Sequence, residues 1–206
     1  MNITAESLAY WYLILNGFLT TVNFLVHPET KKDFSTEVDI LGVRFPNRSE
    51  NFRKPMKDDT FCSQQPGQIY VVTAEVKMGL CSLNGPWTDP ERHNMNKVLS
   101  AVGAFPETDL DEVAGRLHSE GVFSDGKCTV SLLCFGEKTN PEVQSHFPLV
   151  PQIIWSDIRA FLYTRLTSYW REKAQHSQWN RDGQNLWRCA EESQTQNEFI
   201  KAIQVV

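Results

Sequence analysis

Glu37 and Asp39 stand two residues apart, and so do Glu75 and Lys77, each pair set in an apolar run: Val38, Ile40 and Leu41 surround the first, Tyr70-Val71-Val72 and Ala74 lead into the second. On a β-strand, side chains two apart share a face. Two neighbouring strands then offer three carboxylates and one ammonium. Charges inside such strands are costly to desolvate unless they are paired or hold a metal. A hard cation such as Mg²⁺ or Mn²⁺ takes oxygen ligands, so Asp39, Glu75 and a backbone carbonyl, that of Val76, form a partial shell that waters and a phosphate complete. Such a cation lowers the pKa of a bound water and polarises the scissile phosphate. Lys77 beside it would orient the water or stabilise charge on phosphorus. The chemistry implied is hydrolysis of a phosphodiester by in-line attack.

The elements that must position these residues are readable in outline. Thr4 is placed to cap a helix from about residue 5 to 16, apolar nearly all round and therefore buried, with Gly17 at its end. Residues 20–27, 36–45 and 68–77 read as three strands rich in Val, Ile, Thr and Phe, forming a meander packed on that helix. The link from 46 to 66 is polar, carries three prolines, and is longer than an ordinary hairpin connection. Helices are expected around 90–102 and 109–119, a fourth strand over 127–135, a helix over 152–173 with Trp155, Ile158, Leu162, Leu166 and Tyr169 at helical spacing, and a last helical stretch to the C-terminus.

Glu37-Val38-Asp39-Ile40-Leu41 followed by Ile69 to Lys77, preceded by a helix with an early Glu6 that ends in Gly17-Phe18, resembles the PD-(D/E)xK nuclease superfamily, and within it the Holliday-junction resolvase type. The resemblance covers roughly residues 4–135. It implies a restriction-endonuclease-like α/β (α+β) core, a mixed sheet of about four to five strands flanked by helices, occupying residues 1–150, with residues 151–206 as a helical extension packed on the same domain. It also implies catalytic roles for Asp39, Glu75, Lys77 and Glu6. Val38 stands where the superfamily often has Pro, and 35 residues separate Asp39 from Glu75, a long hairpin insertion.

Plainer readings stand beside these. Asp39 could face water at a strand end. Glu75 and Lys77 could be an exposed ion pair, worth about 0–1 kcal/mol. Glu37 could begin a solvated strand, and Glu6 could serve the helix dipole. Arg44, Arg48, Arg53, Lys54 and Lys57 could track a nucleic-acid backbone or could simply be a mixed-charge loop. Trp87, soon after the proposed catalytic strand, could cap the site or pack in the core. Arg159, Arg165, Arg171 and Lys173 read best as a solvated helix face.

Acidic residues outnumber basic ones 25 to 20, for a net charge of −5, against a passive nucleic-acid coat but compatible with a nuclease whose metal ligands are themselves acidic. The five cysteines form no CxxC pair, which fits a reducing cytoplasm. The apolar run 8–15 is too short to cross a bilayer, so no membrane partner is expected. The expected activity is a Mg²⁺- or Mn²⁺-dependent nuclease acting on nucleic acid, DNA first. The rival readings are a non-catalytic subunit of nuclease fold and a phosphodiesterase for small nucleotides. The aromatic C-terminal helices are a candidate interface for a second copy or another protein.

Overall fold

A computed structural model describes residues 1–27, 36–50, 55–64, 67–169 and 180–206. The chain begins with a two-residue strand β1 (Asn2–Ile3) and enters α1 (Ala5–Leu15), whose N-cap Thr4 accepts a side-chain hydrogen bond from the Ser7 amide. The helix ends where Gly17 turns left-handed at φ 83°. There the Gly17 amide donates to the Ile14 carbonyl and the Phe18 amide to the Leu13 carbonyl, at 2.9 and 3.0 Å, the paired bonds that close a helix through a glycine. Phe18 then turns inward and is buried.

Three strands follow: β2 (Leu19–Val26), β3 (Thr36–Arg44) and β4 (Ile69–Val76). They pair antiparallel as a meander, with Val22 opposite Ile40 and Ile40 opposite Ala74. The chain next crosses over through α2 (Gly85–Thr88), α3 (Asn94–Val102) and α4 (Leu110–Glu120), and after β5 (Val122–Ser124) lays β6 (Cys128–Gly136) parallel to β4. β7 (Gln152–Ile154) pairs parallel with β6 after α5 (Pro141–His146). The result is a six-stranded mixed sheet ordered β2-β3-β4-β6-β5, with β7 also on β6. The α+β class is therefore the observed one. Its strand number exceeds the four to five expected because β5 and β7, three residues each, are too short to show a period of two.

β4 and β6 are central and buried on both faces, which explains their nearly unbroken apolar runs. On one face Tyr70, Val72, Ala74 and Val76 meet α1; on the other Val71 meets Trp87, Met95, Val98 and Leu117. α6 (Trp155–Ser168) covers α1, and the Tyr12 and Phe161 rings cross edge-on with centroids 5.1 Å apart. Helices Arg181–Glu192 and Gln196–Ala202 add Leu186, Ala190 and Phe199 to this same core, and β8 (Gln204–Val205) pairs parallel with β1. Within the link 46–66, Met56, Phe61 and Cys62 are buried, so this polar segment is anchored by its few apolar residues. Among the described residues no helix is long and apolar enough to cross a membrane.

Candidate active site

Asp39 sits at a break in the alternation of β3. Val38 and Leu41 belong to the core beneath α3 and α4, whereas Ile40 belongs to the core beneath α1. Opposite Asp39 on β2, Asn23 has a positive φ of 51°. The β3–β4 register starts only at Ile40 and Ala74, so the Val76 amide lies beyond the ladder. The Asp39 carboxylate takes its place: Oδ2 accepts from the Val76 amide at 2.8 Å. The side chain that the sequence singled out is thus fixed to the end of β4, one residue past Glu75.

Asp39 also lines an open groove of about 670 Å³ together with Glu6 and Tyr10 of α1, Asn23, Glu37 and Asp182. Asp182 accepts from the Ser7 hydroxyl at 2.5 Å, tying the helix Arg181–Glu192 to the first turn of α1. The shared face expected for Glu37 and Asp39 is present, and Glu6 joins them.

Glu75 and Lys77 lie behind this groove, on the α3 and α4 side of the sheet. Glu75 is 1% exposed. Lys77 Nζ donates to Glu75 Oε2 at 2.7 Å, and the Trp87 indole N–H donates to Oε1. Burial pushes the Glu75 carboxyl above its ordinary range; the hydrogen bonds from Lys77 and Trp87 pull the other way, and the charge of Asp39 adds to the rise. The Lys77 side chain is partly exposed, so this is a half-buried pair rather than a solvated one. Trp87 is packed in the core and does not cap the groove.

The structure therefore places Asp39, Glu6 and Glu37 along one groove and links Asp39 to the backbone of Val76, while Glu75 and Lys77 pair with each other and do not line that groove. Among the described residues no group of three His, Cys, Asp or Glu side chains is close enough to hold a metal. Hard oxygen donors nevertheless suit Mg²⁺, which needs only one or two carboxylates when waters and phosphate supply the rest. A carboxylate has about four lone-pair sites, so a Glu75 that accepts two hydrogen bonds keeps acceptor capacity.

The basic residues expected on a nucleic-acid backbone are largely engaged within the protein. Arg44 donates to the Asn16 carbonyl at 3.0 Å and to Asp58 at 2.6 Å. Arg48 donates to both oxygens of Asp58 and to Glu50. Lys57 is exposed, and Arg53 and Lys54 fall outside the described residues. Arg165, expected on a solvated helix face, is 2% exposed. It donates to the carbonyls of Leu15 and Lys57, each at 2.5 Å, and to Asp58 at 3.0 Å. It faces inward because it satisfies a carbonyl at the end of α1, a need that helical spacing does not reveal. Arg171 and Lys173 lie outside the described residues.

Sequence reasoning did not identify Asp58 as the acceptor for three guanidinium groups, nor Asp182 as a groove residue. For Trp87 the one available signal was its place just after β4. No protein-family model, no curated protein and no solved structure matches this chain.

Proposed function

We propose that this protein is a metal-dependent phosphodiester hydrolase of PD-(D/E)xK type, a nuclease acting on DNA. The observation that carries the reading is Asp39: a carboxylate at a broken strand alternation, tied to the end of β4 next to Glu75 and open to a groove. The element order supports it: the resemblance implies a helix, three strands, helices and a strand, and α1, β2 to β4, α2 to α4 and β6 follow one another in that order, with the short β5 before β6. The groove's own charge supports it as well. Glu6, Glu37, Asp39 and Asp182 repel a polyanion, so a phosphate approaches only with a cation between them.

Asp39 and the Val76 carbonyl would hold Mg²⁺ or Mn²⁺, with waters and the phosphate completing the shell; Glu75, which the resemblance places beside them, does not line the groove that Asp39 opens on. When bound, that cation supplies Lewis-acid polarisation of the phosphate and a water of lowered pKa. The residues of the chain do the rest. Asp39 Oδ2, fixed by the Val76 amide, presents its carboxylate to the groove in one orientation. Lys77 pairs with buried Glu75 and pulls its carboxyl down against the rise that burial imposes. Glu6 projects from the first turn of α1 into the same groove as Asp39.

A second reading rests on Glu75 itself. Because both its oxygens already accept hydrogen bonds within the fold, the same arrangement serves a non-catalytic subunit that binds nucleic acid or a protein partner. Purified protein incubated with supercoiled, linear and single-stranded DNA and with RNA, in Mg²⁺, Mn²⁺ or EDTA, separates the two. Metal-dependent cleavage of one class supports the hydrolase; every substrate intact with every metal sinks it and leaves the subunit.

A further inference from the structure

The sheet ends on β2, and among the described residues that strand pairs with β3 alone. The short strands β5 and β7 on the far side of the sheet have three residues each. β2 has eight, Leu19–Val26, with neither a charged residue nor a proline among them. Folded proteins commonly blunt a long edge with lysine, proline or brevity, because its outward N–H and C=O groups can pair with any extended chain. Asn23, at φ 51°, is the one irregularity, and pairing with β3 resumes at Phe24 in the same register. The two faces beside this edge differ. Phe24 and Val26 pack on the core beneath α3 and α4. On the other face Val22 and Leu25 are 42% and 45% exposed. Leu25 stands opposite exposed Glu37, and Val22 lines the groove with Glu6, Glu37, Asp39 and Asp182, where no lysine or arginine is found among the described residues.

We propose that the free edge of β2 docks an extended basic segment of a partner protein, which adds a strand to the sheet and lays its Lys or Arg side chains across Val22 and Leu25 toward Glu37. A chain laid on β2 runs about 5 Å from it and about 10 Å from β3. Lysine and arginine span that second gap: their methylene stems cover apolar surface while their charged heads reach on to a carboxylate. Main-chain hydrogen bonds along β2 supply affinity, and the alternate side chains over the acidic face supply specificity. A second copy of this chain fits the edge less well, since it would set the same carboxylates side by side at a net charge of −5 on each copy. No metal and no nucleic acid enter this inference, so it goes beyond the hydrolase reading and does not rest on it.

The probe is a short peptide of alternating Lys and Val with blocked ends, titrated in EDTA into the ¹⁵N-labelled full chain and followed by amide ¹H–¹⁵N spectra. The expected result is that the amide signals of β2 shift and that their hydrogen exchange slows. A peptide whose central Val is replaced by Pro keeps the charge and loses a main-chain donor; it should bind about 2- to 10-fold more weakly. Glu37→Gln, at an exposed position that leaves the core untouched, should weaken the Lys–Val peptide about 2- to 5-fold, and a Glu–Val peptide should leave the β2 signals in place. No binding of the Lys–Val peptide overturns the proposal. So does binding that leaves β2 unmoved or that tolerates the Pro, because charge alone would then explain it. A concentration-dependent dimer in sedimentation that Leu25→Lys abolishes gives the edge to a second copy and overturns it as well. Because every titration runs in EDTA without nucleic acid, failure here leaves the hydrolase reading standing, and failure of that reading leaves this result unchanged.

Discussion

Replacing Asp58 with Ala removes the acceptor on which Arg44, Arg48 and Arg165 converge. Four hydrogen bonds reach its two oxygens, at 2.6, 2.9, 3.1 and 3.0 Å. The three cations differ in their alternatives. Arg44 and Arg48 have side chains 13% and 19% exposed and can turn toward water. Arg165, at 2%, cannot; it keeps the carbonyls of Leu15 and Lys57, a contact to the Met56 sulfur and the face of the Phe161 ring, 5.0 Å away. Breaking a buried ion pair from one side costs about 3–5 kcal/mol. Because Arg165 retains two carbonyl acceptors, the lower end applies, about 3 kcal/mol, or roughly 6–12 °C in Tm for a domain of this size. Urea unfolding followed by tryptophan fluorescence at pH 7 measures it. Glu120→Ala, which removes an exposed helical pair with Arg116, serves as the comparison and is expected to cost below about 0.5 kcal/mol. An Asp58→Ala loss under about 1 kcal/mol, indistinguishable from a surface pair, would refute the buried hub and return Arg44 and Arg48 to the pool of residues available for nucleic acid.

Glu75→Gln should stabilise the metal-free protein at pH 7, because burial raises the carboxyl's folded pKa above its unfolded value and the ionised form therefore costs stability. That cost is absent below the unfolded pKa and grows as pH rises through the folded one, so the gain should fade toward pH 4; urea midpoints across pH 4–7 decide, and a loss at pH 7 contradicts it. Gly183→Ala should destabilise although Ala is the better helix former by about 1 kcal/mol, because a Cβ there would lie 2.2 Å from the Trp11 ring; a raised Tm would contradict this packing. Gly17→Ala should also lower Tm, since φ is 83° and a Cβ would lie 2.0 Å from Arg48 Cδ; an unchanged Tm would mean that the turn relaxes freely.

Local signals carried well into the structure. Thr4 caps α1 and Gly17 ends it because both act through their own backbone neighbours. β2, β3 and β4 appear within a residue or two of their expected bounds because their β-branched runs are long. Asp39, Glu6 and Glu37 line one groove, with Glu6 exposed rather than buried as its helical stripe suggested. What the sequence hid depends on partners far along the chain. The two apolar runs did not show that the break between Val38 and Ile40 would leave Asp39 on the groove while Glu75 meets Trp87 of the core beneath α3 and α4. Arg44 and Arg48 looked like phosphate ligands until Asp58, 14 and 10 residues further on, drew them inward, where Arg165 from α6 reaches the same carboxylate. Their charge was legible; its acceptor was not.

The proposed hydrolase requires Asp39 to hold its cation, and Asp39→Asn tests that role with the least disturbance. Asn keeps an oxygen that can accept from the Val76 amide, so the strand end stays closed while the negative charge is lost. Initial rates of DNA cleavage in Mn²⁺ should fall at least about 100-fold relative to wild type, the equivalent of about 2.7 kcal/mol of lost transition-state stabilisation, with the urea midpoint held. Cleavage that continues at the wild-type rate in Asp39→Asn, or that proceeds undiminished in EDTA, would contradict this role for Asp39.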